Sequence, residues 1–455
     1  MNSFLKYILL TLFLIEGFLS YSQNSFNLSK TKSSKIRFQL INNIIVMPVE
    51  LNGVKLSFVL DTGVSRPILF NLVNMDSLQI KNRERSFLRG LGSNGNIQAI
   101  RSRGNIIKIG EAIAVNRDVS VIFDESINFT SRLGVPVHGI IGYDLFKDFI
   151  VEINYSSEYL RLYKRQYFKD KKKRKWKELP IEIINRKPYL NADINIDSEL
   201  FAVKLLIDTG GSDALWLFEK SQENIEIPEN KRFRDFLGKG LSGAVYGVRS
   251  KIKTFSVGSY KLSNVNVAFP DSSSLTIARR FKERNGSVSG NILKRFNLFF
   301  DYKNGKLLLK KNGKFNSPFY YNNSGITAEQ RGLRVVKELQ KSRANDGYGR
   351  DVEGANIGIN LATRYSFILK PSFEVVELRE NSNAKKSGVE IGDIITSING
   401  SQTSSMTLQE VNKYFYNKKG TTLRIRVERD GKELDFKFEL DDVFKKKSPQ
   451  IESSN

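Results

Sequence analysis

Two short segments of this chain carry residue types suited to hydrolytic chemistry, Asp61-Thr62-Gly63 and Asp208-Thr209-Gly210. Each follows an apolar run, Leu56-Ser57-Phe58-Val59-Leu60 in one case and Val203-Lys204-Leu205-Leu206-Ile207 in the other. An Asp-Gly turn often does no more than end a strand. A single Asp-Thr-Gly is expected by chance in roughly one chain in ten of this size, so one copy would mean little. Two copies in the same setting mean more. Brought face to face, Asp61 and Asp208 could not both ionise near neutral pH, and they would share one proton. Their titration would belong to the pair. The ionised member can act as general base on a water between them, while the protonated member donates to a carbonyl oxygen. That chemistry needs no metal, cofactor or covalent intermediate. Gly63 and Gly210 allow sharp turns, and Thr62 and Thr209 are placed to hydrogen-bond across and fix them.

Composition narrows the alternatives. The 455 residues include no cysteine, which removes disulfides, thiolate metal sites and cysteine nucleophiles. The one histidine, His138, cannot build a multi-histidine metal site. It precedes a glycine element, and a structural role is expected of it.

The elements that must position the aspartates recur as a repeat. Residues 36–164 and 179–311 show the same features in the same order. Strand-like alternation opens each copy, at Ile44 to Val54 and at Tyr189 to Ile196. A glycine-rich stretch follows each Asp-Thr-Gly, with Gly90, Gly92 and Gly95 in the first and Gly238, Gly240 and Gly243 in the second. Gly92 comes 31 residues after Asp61, and Gly240 comes 32 after Asp208. These stretches are expected to be hairpin flaps that close over a substrate. Next come Gly139-Ile140-Ile141-Gly142, 78 residues after Asp61, and Gly290-Asn291-Ile292-Leu293, 82 after Asp208. Each copy closes on a hairpin, around Tyr155-Ser156-Ser157 and around Lys303-Asn304-Gly305, where Asn-Gly reads as a two-residue turn. The expected organisation is a lobe over 36–164, a basic linker over 165–178 and a second lobe over 179–312. The run from Lys169 to Lys177 within the linker reads as solvated.

The tail is a separate module. Phe373 to Val376 reads as a strand, Asn381 to Val389 as a short helix ending at glycine, and Gly392 to Gly400 as a strand closed by Asn-Gly. Leu408 to Tyr416 has helical periodicity, and the final two strands flank Asp430-Gly431.

Taken together these motifs resemble the aspartic peptidase superfamily, and more closely bacterial retropepsin-like peptidases with a C-terminal PDZ domain. The resemblance spans about 36–445. It implies a mainly β chain with two similar acid-protease-like β-barrel lobes about a pseudo-twofold axis, plus an α+β PDZ-like domain over 323–445 with an inserted loop around 331–356. It makes Asp61 and Asp208 catalytic, Thr62, Gly63, Thr209 and Gly210 their supports, and the glycines above, with Tyr246, flap and substrate-binding residues. Ser324-Gly325-Ile326 is the preferred carboxylate-binding loop of the PDZ-like domain, with Ile357-Gly358-Ile359-Asn360 competing. Two departures stand out. Where pepsin-like enzymes carry Ser or Thr after Asp-Thr-Gly, this chain has Val64 and Gly211. The first flap also has no tyrosine.

The expected activity is peptide-bond hydrolysis, and the expected partners are peptide or protein substrates and a C-terminal peptide ligand of the PDZ domain. The alternative is a catalytically silent peptide-binding scaffold. Lys6, the apolar run Tyr7 to Leu14 and Ser20-Tyr21-Ser22 read as a signal peptide over 1–22, so the mature protein is expected in the periplasm, at the outer surface or outside the cell. The net charge of +24 then points to anionic cell-surface polymers rather than nucleic acid.

Overall fold

A computed structural model describes residues 25–71, 78–92, 95–124, 127–169, 175–223, 225–229, 231–339 and 365–444. The segment read as a signal peptide, residues 170–174 of the basic run and Ile357 to Asn360 lie outside them. The chain forms two compact units. One runs up to Tyr321 and takes in the chain again from Asp442; the other is Asn322–Asp441.

The first unit is built from long strands that alternate between core and solvent, such as Lys187–Ile196, and short central ones buried throughout, such as Gly286–Ser289 and Phe296–Asp301. Its first half holds β1 (Ser33–Arg37), β2 (Gln39–Ile41), β3 (Ile44–Leu51), β4 (Val54–Leu60), β5 (Ile68–Leu69), β6 (Arg83–Leu88), β7 (Ile97–Ile109), β8 (Ala112–Val121), α1 (Phe129–Leu133), β9 (Gly139–Ile141), α2 (Tyr143–Asp148), β10 (Ile150–Asn154) and β11 (Tyr159–Tyr163). The second half holds β12 (Lys177–Pro180), β13 (Glu182–Ile184), β14 (Lys187–Ile196), β15 (Glu199–Asp208), β16 (Leu215–Leu217), β17 (Arg232–Gly240), β18 (Gly243–Val257), β19 (Tyr260–Pro270), β20 (Gly286–Ser289), α3 (Gly290–Leu293), β21 (Phe296–Asp301) and β22 (Lys306–Lys311).

The halves match strand for strand. One eight-stranded sheet runs β2-β3-β4-β9-β5-β8-β7-β6, the other β13-β14-β15-β20-β16-β19-β18-β17. An extra pairing, β3 with β7 and β14 with β18, folds each sheet back on itself. The turns match too. Asn42-Asn43 and Asn185-Arg186 both have positive φ at the two central residues, the geometry that suits a tight hairpin's twist. A third sheet, β1-β11-β10-β21-β22-β12, takes three strands from each half and joins them where β10 runs antiparallel to β21. Its two hairpins close through four residues each, since Asn154 pairs with Tyr159 and Asp301 with Lys306. Asn304-Gly305 is therefore not a two-residue turn; Gly305 alone takes the left-handed conformation, at φ +59°.

Residues 313–321, which match neither copy in sequence, belong to this unit. Arg295, almost fully buried, donates to the carbonyls of Lys314, Phe315 and Ser317, and its guanidinium covers the Phe319 ring. Tyr321 is buried with its hydroxyl bonded to Ser250 O and Val267 O. Phe444 returns to pack edge-on against Phe233 and Tyr321.

The second unit comprises β23 (Ile326–Leu339), β24 (Tyr365–Leu378), α4 (Asn383–Lys386), β25 (Ile394–Ile398), β26 (Ser401–Gln402), α5 (Leu408–Phe415), β27 (Thr422–Arg429) and β28 (Lys432–Glu439). Its sheet runs β23-β24-β25-β27-β28, with β23 at an edge. Thr407 and Glu410 form a capping box at the start of α5. Leu408, Val411 and Phe415 of that helix pack into this unit's own core, beside Ile326, Phe373 and Ile425. The expectation of an inserted loop from 331 needs correcting. Residues 331–339 continue β23 and pair with β24 from Leu333 opposite Pro371 to Leu339 opposite Tyr365. They read as loop because most of their side chains are exposed, the apolar Leu333 and Val335 as well as the basic Arg331 and Lys337, as in a ribbon that buries neither face.

Candidate active site

Each aspartate stands at the end of a strand held between neighbours. β4 runs parallel to β9, with Leu60 beside Ile141, and Asp61 N–H donates to Ile141 O at 2.9 Å. β15 runs parallel to β20, with Asp208 beside Ser289. This register corrects the sequence match in the second copy. Phe58 pairs with Gly139 and Leu205 with Gly286, so the counterpart of Gly139-Ile140-Ile141-Gly142 is Gly286-Ser287-Val288-Ser289, not the segment from Gly290. Gly286 lies 78 residues after Asp208, the same spacing as Gly139 from Asp61. Ser287 at an apolar position and Ser289 at a glycine position hid the signature. Glycine is required at both places because a Cβ would run into the crossing strand's carbonyl, that of Ile68 or Trp216.

The two Asp-Thr-Gly loops interlock. Thr62 N–H donates to Thr209 Oγ1 at 3.1 Å, and Thr209 N–H donates to Thr62 Oγ1 at 3.1 Å. Each hydroxyl then donates onward across the junction, Thr62 to Ile207 O at 2.6 Å and Thr209 to Leu60 O at 2.8 Å. Both threonines are completely buried, so these bonds leave no unpaired polar group at the junction. The arrangement brings the two carboxyls within hydrogen-bonding reach of each other. A methyl group added at Gly210 would lie 2.6 Å from Asp61 Oδ2.

The pair is not symmetric. Gly63 N–H alone donates to Asp61 Oδ1, at 2.7 Å. Asp208 Oδ1 accepts from both Gly210 and Gly211, each at 3.0 Å. Burial and the neighbouring Asp208 charge push Asp61 up to about 7. Burial raises Asp208 as well, but the Arg284 charge, its two amides and Lys187 oppose the rise. Asp208 thus has more groups that favour its charged form than Asp61 has, while the titration belongs to the pair.

The glycine-rich stretches form the tips of two hairpins, β6–β7 and β17–β18, and the tips grip each other. Ser242 N–H donates to Leu91 O at 2.9 Å, and Ser242 Oγ accepts from Gly90 N–H at 3.0 Å while donating to Gly95 O at 2.8 Å. Leu241 packs on the first half's cluster with Phe70, Ile97 and Ile140; Leu91 packs on the second half's Phe218, Leu237 and Leu275. Gly90 and Gly240 permit this approach, since a Cβ would collide with Leu241 and with Leu91 O respectively. Gly92, Gly95, Gly238 and Gly243 all have positive φ. Tyr246 is set back from the tip, opposite Phe236, with its exposed ring packed on that residue.

His138 is structural. Its Nδ1 accepts from Ser57 N–H at 3.1 Å, and burial holds its pKa below the ordinary value, so it stays neutral. Four residues near the dyad escaped the sequence reading: Lys187, Arg284, Ser289 and Asn43. Asn43 donates to Ser212 O at 2.7 Å and accepts from Lys294 Nζ at 2.7 Å, tying the first half's turn to the second half. Counting back through the hairpin registers would have found Asn43 and Lys187. Arg284 and Ser289 leave no comparable signal.

Residues 47–145 match the aspartyl protease family model. Residues 355–440 match that of the PDZ domain. No curated protein matches the chain. The aspartyl protease match includes Asp61, the first hairpin tip and Gly139. The second half lies outside it and is tied to the first by strand order and by the threonine bonds.

The PDZ domain's expected carboxylate loop is already satisfied from within. The amides of Ser324 and Gly325 both donate to Asn322 Oδ1, at 3.1 and 3.2 Å, and Ile326 N–H donates to Ser324 Oγ at 3.0 Å. Asn322 Oδ1 thus takes two of the N–H groups that a terminal carboxylate would use.

Proposed function

We propose that this chain is an aspartic endopeptidase that hydrolyses peptide bonds with a water activated between Asp61 and Asp208, its two halves related by a pseudo-twofold axis. The observation that carries the reading is the reciprocal threonine bonding that sets two Asp-Thr-Gly carboxyls side by side. Asp208, the better supplied with donors and cations, takes a proton from the water. Asp61 gives the shared proton to the carbonyl oxygen, and a tetrahedral diol forms without a covalent enzyme intermediate. The interlocked tips would part to admit substrate and close to exclude bulk water. The PDZ domain supports peptide or protein binding, and we assign it substrate recruitment. The leader-like N-terminus supports export, and the high positive charge supports contact with anionic surface polymers.

The test is digestion of a peptide library with and without a statine-type inhibitor, alongside Asp61→Asn and Asp208→Asn. Each substitution should abolish cleavage while the fold survives, and chelators should not inhibit the parent. A folded parent that cleaves nothing would instead be a peptide-binding scaffold.

A further inference from the structure

The two halves differ in charge beside the dyad. Tyr189 pairs with Leu206 across β14 and β15, so Lys187, two residues earlier, stands across from Asp208 on the same face. In the first half Val46 pairs with Val59, which sets Ile44 across from Asp61. Where one half has an aliphatic side chain, the other has an ammonium. Lys187 is half-buried, and its charge acts on both aspartates. Among the described residues its Nζ has no hydrogen-bond or ion-pair partner. The second cation of this region differs: Arg284, fully enclosed, donates to Gly286 O at 3.0 Å and Ser287 Oγ at 2.6 Å and lies over the Phe218 ring. Arg284 is committed to the fold, whereas the Lys187 ammonium keeps three donors to offer.

A half-buried ammonium is costly unless something pairs with it. The dyad carries at most one negative charge while active, and the two cations outnumber it. We propose that Lys187 is a specificity residue that receives an acidic side chain of the substrate, Asp or Glu, next to the scissile bond on the Asp208 side. This rests on the peptidase reading above. A carboxylate there would accept from the free ammonium and exclude water from it, a charge-assisted bond stronger than its neutral counterpart. A lysine or arginine in the same place would meet two like charges.

The experiment uses the full chain and the best-cleaved peptide from the library, remade with Glu or its isostere Gln at each position flanking the scissile bond. At about pH 6 a substrate Glu is ionised and Asp61 still holds its proton. The expected result is a kcat/KM for Glu about tenfold above that for Gln at one of the two positions, the low end of what a hydrogen bond to a charged group supplies. Lys187→Met should bring that ratio close to one, and Lys187→Glu should make Lys preferred over Gln. If Lys187 only tunes the dyad, Lys187→Met will change the pH profile of both peptides alike and leave the ratio intact, which overturns the proposal. Equal cleavage of Glu and Gln by the parent overturns it too, while leaving the peptidase reading standing. A parent that cleaves nothing removes both. Should the variants fail to fold, the parent's Glu/Gln ratio must still fall as salt is added; a salt-independent ratio refutes the pairing.

Discussion

The unequal supply of donors to the two aspartates makes the pH profile adjustable at one residue. Val64 stands three residues after Asp61, as Gly211 does after Asp208. A Cβ at 211 would lie 3.1 Å from Asp208 Oδ2, so a side chain at this place reaches the carboxylate. Val64→Ser therefore offers Asp61 a second donor. A hydrogen bond to a charged group is worth roughly 1.5–3 kcal/mol, and each pKa unit is about 1.4 kcal/mol. After allowance for reorganisation, the shift should be about one unit downward. Hydrolysis needs the singly protonated pair, so the upper pKa sets the alkaline limb of kcat/KM. The parent should lose activity as pH rises through about 7, and the variant about one unit lower. At pH 7 the variant should be slower by about fivefold, and near pH 5 it should equal the parent. Val64→Thr, which keeps the valine's shape, should shift the limb the same way and separates the hydroxyl from lost packing. An unmoved limb, or one moved toward alkali, would show that this position does not set the dyad's titration. The matching change at 211 is not usable, because its Cβ would meet Ser289 Oγ at 2.7 Å.

Further expectations concern stability and recognition. The Asp61 pKa is raised on folding, so the unfolded chain gives up its proton first and stability declines as pH rises from the ordinary carboxylate value toward about 7. Asp61→Asn should thus raise Tm at alkaline pH, with the gain vanishing near pH 4; a constant gain would refute the linkage. Thr62→Ala leaves Thr209 N–H and Ile207 O unpaired in a buried place, and should cost about 2–4 kcal/mol in urea titration; a loss under half of that would mean water fills the gap. Peptides ending in a free carboxylate and their amides should bind the PDZ domain equally, within about threefold, and Asn322→Gly should create a preference for the free acid; a strong acid preference in the parent would show that Asn322 yields to ligand. A chain stopped after Tyr321 should cleave short peptides normally but show a raised KM for long substrates. One stopped after Asn312 strips Arg295 of three of its four carbonyl partners, leaving only Asn291 O, and should fail to fold stably.

Much of the site was legible because its signals were backbone demands. Asp-Thr-Gly, the hairpin tips and Gly139 are places where only glycine, or a short polar side chain, meets the geometry. The threonine junction followed from the duplication itself. The second Gly element is masked in sequence because Ser287 stands at an aliphatic position and Ser289 at a glycine position; spacing alone points to Gly286. The run of the Ile326–Leu339 strand beyond Arg331 was missed because its exposed side chains, apolar Leu333 and Val335 among them, carry no burial pattern. Arg284 acts through space rather than spacing, and only the fold reveals it beside a carboxyl; Lys187 follows from the hairpin register. The loop at Ser324 was located from its glycine, but its filling by Asn322 depends on a rotamer.

The sheet that takes three strands from each half bears on how a chain with the proposed activity would withstand it. Ile153 lies beside Leu298 there, 145 residues away in sequence. Contacts so distant form slowly, and once formed they must be undone together, because neither half keeps a complete sheet after the other leaves. Opening is then rare and global. Digestion of a folded protein proceeds through opened states, so one molecule meeting another would find hairpin tips and connectors to cut, and few unwound strands. In a chain with the proposed activity, this joint would limit self-digestion.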